Sequence, residues 1–186
     1  MSVLVITPAQ PFVSKEEALA HLRDPEEQDE LIEVYVAAAC AWIDGPAGWL
    51  GRSFGAQTLE LRGNVFASGA RLPYGPVREI VSVKYVSPAG VEETLPPAIY
   101  QLCSDALELT PGASWPSLRG DAEGVRVRYA AGDEATKVPA SAKQAVLLLV
   151  GHWFRNRMAV NTGNLSVTEM PFGVEALLSP FRTWRI

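Results

Sequence analysis

Two histidines and two cysteines are the side chains of this 186-residue chain best suited to acid-base, nucleophilic or metal chemistry. Their spacing does not favour any of it. His21 and His152 lie far apart, with no Cys or second His at the short separation of a metal-ligand pair. Cys40 falls in an apolar helical run and Cys103 in a strand-like one. Both read as small buried hydrophobes in a reducing compartment, not as a disulfide or an activated thiolate. His152 is expected to pack, hydrogen-bonded, on the apolar side of a helix, and His21 to sit at a helix end where imidazole suits the dipole. No Gly-rich phosphate loop and no nucleophile elbow occurs.

The charged clusters have plain structural readings. Asp24, Glu26, Glu27, Asp29, Glu30 and Glu33 offer carboxylates to a metal, yet the start of a helix favours such acidic density through its dipole. Arg155-Asn156-Arg157 could take a phosphate and fits equally as the cationic end of a helix. Asn164-Leu165-Ser166 is a glycosylation pattern that carries weight only beside a secretory signal, and Met1 to Thr7 is too short and lacks a basic start. No catalytic, cofactor-binding or metal-ligating residue emerges, and no cofactor is expected. Sixteen Lys and Arg against twenty-one Asp and Glu, a formal charge of −5, argue against a surface built to grip nucleic-acid phosphates. No apolar run reaches the roughly 18 residues of a membrane span. Apolar residues at 48% are enough for a packed core, and the length fits one domain.

The elements follow from punctuation and periodicity. Met1 to Phe12 reads as an extended arm, β-prone at Val3, Val5 and Ile6 and barred from helix by Pro8 and Pro11. Ser14 with Glu17 forms a capping box for a short helix to about Leu22. A second helix is predicted from near Glu26, with stripes Leu31, Tyr35, Ala38, Trp42 and Ile32, Val36, Ala39, Ile43. Its apolar face is wide, as in a helix packed on two sides. The middle is β-rich. Gln57 to Leu61 alternates, and Leu72-Pro73-Tyr74-Gly75-Pro76 leads into a strand over Ile80 to Val86. Gly90 turns that strand back through Val91 to Leu95, and Tyr100 to Cys103 pairs with Ala106 to Leu109 around Ser104-Asp105. Trp115-Pro116 anchors a loop, and Val125, Val127 and Tyr129 alternate with Arg126 and Arg128 in a last strand. Pro139 opens the longest helix, to about Met158, and Phe172 to Leu178 reads as a short amphipathic one stopped by Pro180.

Hydrophobic residues near the C-terminus are the least expected feature. Phe172, Phe181 and Trp184 follow a polar stretch and are joined by Arg182 and Arg185. Such a segment either folds back on its own core or docks into a partner, because aromatics and arginine are interface anchors.

The ordered set of motifs resembles a known family. It comprises Ile6-Thr7-Pro8, Val13-Ser14-Lys15-Glu16-Glu17-Ala18, Leu72 to Val86, Ser114-Trp115-Pro116, and Val125 to Tyr129 with Ala131-Gly132. Leu147 to Phe154 and Pro171-Phe172-Gly173-Val174-Glu175-Ala176-Leu177-Leu178 complete it. In this order the chain resembles the head-tail connector (adaptor) proteins of long-tailed bacteriophages, prophages and gene transfer agents. The resemblance implies an α+β fold, mainly a helical bundle with an inserted small antiparallel β unit. On this reading 1–12 is an N-terminal arm and 13–50 with 139–158 the helical core. Residues 54–131 are then a β-rich insertion, and 159–186 a C-terminal docking segment. It implies a structural virion protein, not an enzyme, assembled in the bacterial cytoplasm and resident in the particle neck.

The expected partners are the portal protein, further copies of itself in a ring (a dodecamer on the portal), and the next connector, stopper or tail protein. DNA passes through the lumen without sequence-specific binding, and no membrane is involved. Portal docking falls to Phe172, Leu177, Leu178, Phe181, Arg182, Trp184 and Arg185, with the tail ordered only on assembly and removable without harm to the body. Alternatives are a stopper or tail-terminator ring protein of the same particle, or a small cytoplasmic enzyme with an unrecognised site.

Overall fold

The computed structural model describes residues 1–22, 29–66, 69–156 and 172–183. Strands and helices hold comparable shares of them, arranged around two separate hydrophobic cores. The fold is α+β as expected, but the β part is no minor insert in a helical bundle.

The first core belongs to helices α1 (Lys15–Leu22), α2 (Asp29–Ile43), α3 (Ala140–Arg155) and α4 (Phe172–Leu178). The capping box is formed: the Ser14 N–H donates to Glu17 Oε2 at 2.8 Å, and the Glu17 N–H to Ser14 Oγ at 3.1 Å. α3 is central, burying Ala142, Ala145, Val146, Leu149 and Val150. Gly151 of α3 faces the end of α1, where a Cβ would make ordinary van der Waals contact with the His21 ring at 3.6 Å. Ile32, Val36, Ala39, Cys40 and Ile43 of α2 fill the same core. The predicted start of α2 near Glu26 lies outside the described residues. His152 departs from expectation: it is exposed, because its stripe leaves the core at the last turn of α3. Its carbonyl accepts from Asn156 Nδ2 at 2.9 Å.

The second core lies under a five-stranded antiparallel sheet in the order β1-β2-β8-β4-β5. Its strands are β1 (Ser2–Thr7), β2 (Gln57–Gly63), β4 (Val77–Val86), β5 (Glu92–Thr94) and β8 (Val125–Ala131). A smaller sheet, β3-β7-β6, adds β3 (Ala70–Arg71), β6 (Tyr100–Cys103) and β7 (Ala106–Leu109). β8 shows why alternation matters. Val125, Val127, Tyr129 and Ala131 face the core, while Arg126 and Arg128 face out. There Arg128 meets Glu60 of β2 at 2.8 Å, and Arg126 meets Glu92 of β5 at 2.8 Å, giving cross-strand ion pairs. Trp115 anchors its loop by stacking on Phe66, centroids 4.6 Å apart.

The N-terminal arm is the edge strand of this sheet. Ser2 to Val5 pairs residue by residue with Arg62 to Leu59. An apolar period-2 segment with unmet backbone groups joins a ladder when β2 offers a free side.

Three connections between the cores cross at one waist. Gln10 N–H donates to the Ala56 carbonyl at 3.0 Å, and Asp133 N–H to the Phe54 carbonyl at 2.7 Å. A Cβ on Gly132 would collide with the Gly55 carbonyl, and one on Gly55 with the Gln10 carbonyl. The backbones touch there, so glycine is required.

Candidate functional site

Asp44, directly after α2, organises the waist. One carboxylate oxygen accepts the Gly45 N–H at 2.9 Å and the Phe54 N–H at 2.6 Å, and the other accepts the Gly55 N–H at 2.8 Å. The side chain is buried, and burial pushes its carboxyl up to about 6 against the pull of those bonds. Sequence reasoning read only the break at Gly45-Pro46. The available signal was an Asp-Gly pair closing an apolar helix. The same burial pushes the Cys40 thiol up to about 11, which makes it a packing residue and not a nucleophile.

The loop held by Asp44 receives the C-terminal segment. Leu178 and Val174 of α4 are fully buried against the helical core, and Leu177 packs beside them. Phe181 sets its ring edge on Phe54, centroids 5.5 Å apart. The Arg182 guanidinium lies over the Trp49 ring at 4.1 Å, and the Thr183 N–H donates to the Leu50 carbonyl at 2.8 Å. The expected order-on-assembly tail is therefore corrected over 172–183: this stretch is part of the body. An amphipathic helix beside an open apolar groove buries its stripe without waiting for a partner. The Phe172 side chain, Trp184 and Arg185 fall outside the described residues.

Among the described residues two apolar surfaces stay open. Against them α2 packs on one side only, and its outward stripe carries Val34, Ala37, Ala38, Ala41 and Trp42, with Val34 60% exposed. These positions recur at helical spacing and form one face. The expected two-sided packing is thus half supplied within this chain. At its far end Trp42 meets Trp153, ring centroids 6.4 Å apart. The second surface is β1, whose outer ladder is unpaired and whose Leu4, Val5 and Ile6 are exposed. Among the described residues, no three His, Cys, Asp or Glu gather as a metal site, and no helix is long and apolar enough to cross a membrane.

The phage gp6-like head-tail connector protein family matches residues 115–182, from the Trp115 loop through β8, α3 and α4. The whole chain aligns with a chain of the virion of a native gene transfer agent (GTA) particle, at 26% identity and a TM-score of 0.76. That alignment covers 100% of this chain and 97% of the other. Chains from the neck of an empty GTA particle computed with C6 symmetry (26%, TM-score 0.72) and of a native one computed with C12 symmetry (25%, 0.73) match over the same shares. No curated protein matches. Over residues 115–182 the chain is thus similar to the phage gp6-like head-tail connector family, and over its whole length to chains of gene transfer agent particles.

Proposed function

We propose that this protein forms a ring beneath the portal in the neck of a phage-like or gene transfer agent particle. The ring extends the DNA channel and joins the filled capsid to the tail or to the next connector. The observation that carries the reading is the outward apolar stripe of α2, Val34 to Trp42, on a chain whose whole length matches particle-neck chains. A closed ring needs two different patches that meet between neighbours, and this stripe supplies one of them. Exposed apolar surface of this kind is buried by assembly.

Portal attachment belongs to the C-terminal segment. Leu177, Leu178, Phe181 and Arg182 lock the segment's base onto the body, and Phe172, Trp184 and Arg185 complete the docking set. The acidic balance suits a lumen that DNA traverses without adhering. Particles from a strain lacking the gene test the reading by electron microscopy. Filled heads without tails are expected; normally tailed particles overturn it.

A further inference from the structure

Beside the waist the two cores leave a cleft of about 440 Å³, lined by Arg52, Arg71, Tyr74, Asp105 and Thr183 among others. Past Arg52 and Pro76, which border both spaces, lies a recess of about 160 Å³ that Ser53, Asp133 and Lys137 also reach. Three cations thus border this space, and none forms an ion pair among the described residues. The Arg52 guanidinium is held over the Phe54 ring, 5.0 Å from its centroid, while its buried Nε has no acceptor. Ser53 is fully buried, and its Oγ has no partner either. The two carboxylates present do not use the cations. Asp105 accepts the Val77 N–H at 2.6 Å, and Asp133 stands at the recess.

Among the lining groups Arg52, Arg71 and Lys137 outnumber Asp105 and Asp133 by one, in a protein whose overall charge is −5; the buried Asp44 carboxylate also feels Arg52 but is not part of the lining. A partly desolvated guanidinium with idle donors is an unfilled half of a fork-to-fork pair with a carboxylate. The charge left over matches a monoanion, and the Asp105 carboxylate opposes a phosphate dianion. The volume suits a few side chains and excludes a nucleic-acid duplex. We propose that this cleft receives a glutamate or aspartate side chain on an extended segment of a neighbouring polypeptide, paired with the Arg52 and Arg71 guanidiniums. The inference rests on the assembly reading only for who supplies that segment.

The test is an amide chemical-shift titration of the full chain with four probes. They are a capped pentapeptide with one central glutamate, its glutamine twin, inorganic phosphate and a short DNA duplex. The glutamate peptide is expected to move the amides of Arg52, Ser53, Tyr74 and Gly75 saturably, and the glutamine twin to leave them in place. Affinity should fall about tenfold in Arg71→Gln, whose exposed position spares the fold, and in Arg52→Gln. No shift at these amides with the glutamate peptide overturns the proposal. So does equal binding by the twin, or tighter binding at the same amides by phosphate or by DNA. Ring formation by Arg71→Gln, scored separately in micrographs, keeps failure of the cleft distinct from failure of the ring.

Discussion

Replacing Asp44 by alanine leaves two N–H groups at the waist, those of Phe54 and Gly55, without an acceptor, while the Gly45 N–H keeps the Arg52 carbonyl at 2.9 Å. A buried donor left unmet costs about 1–3 kcal/mol, so the gross loss for the two is about 2–6 kcal/mol. An opposing term depends on pH. Burial raises the Asp44 carboxyl from 3.8 to about 6. The native state therefore carries a desolvation cost of about 3 kcal/mol at pH 7 that alanine lacks. The net change expected for Asp44→Ala at pH 7 is therefore small, a loss of at most about 3 kcal/mol.

The sign of the pH effect follows from the raised value. Between the unfolded and the folded pKa the native state binds the extra proton, so this group's contribution is full in acid and fades as pH rises through about 6. The gap between wild type and Asp44→Ala should widen by about 2 kcal/mol on going from pH 7 to pH 4.5. Urea unfolding of both proteins across that range measures it, and the other carboxylates cancel in the difference. A gap that stays constant or narrows in acid refutes the account of Asp44 as a buried, desolvated junction group.

The remaining predictions concern the open face, the tail and the outer ladder. Ala38→Arg on the outward stripe of α2 should change stability by less than about 0.5 kcal/mol yet abolish ring assembly, read by native mass spectrometry and negative stain; intact rings refute the interface. Leu178→Ala should cost about 2–4 kcal/mol in thermal or urea unfolding, because the side chain is fully buried. Deleting residues 172–186 should for the same reason damage the body, whereas truncation after Thr183 keeps the melting temperature and removes portal attachment in a pull-down. For Glu60, burial pushes the carboxyl up, but hydrogen bonds from Arg128 and Arg62 outweigh it and hold the group below its usual range. Its contribution is then present at neutral pH and lost as pH falls below the usual glutamate value. Glu60→Gln should cost about 1–2 kcal/mol at pH 7, with the difference from wild type shrinking in acid.

Local features were legible in the sequence, and long-range ones were not. The Ser14 and Glu17 box formed because both partners lie within one turn. The hairpin at Ser104-Asp105 formed because both residues tolerate the left-handed backbone it needs, with φ of 47° and 65°. The alternation in β8 gave its two faces directly. By contrast, nothing within Met1 to Phe12 says that β2, some fifty residues on, completes its ladder, so the docked edge strand was legible only as an extended, β-prone arm. The outward stripe of α2 was visible as apolar periodicity. Whether its own chain or a neighbour covers it is a property of the assembled surface and not of spacing. Asp44 and Arg52 escaped because one polar residue acquires meaning only from the backbone or emptiness beside it.

The crossing of Gln10, Gly55 and Gly132 at the waist has a mechanical consequence. Three chains pressed backbone to backbone, with no side chains between them to slide or repack, make a weld and not a hinge. Such a part serves as a fixed spacer, holding its two ends at a set angle while load passes from one to the other.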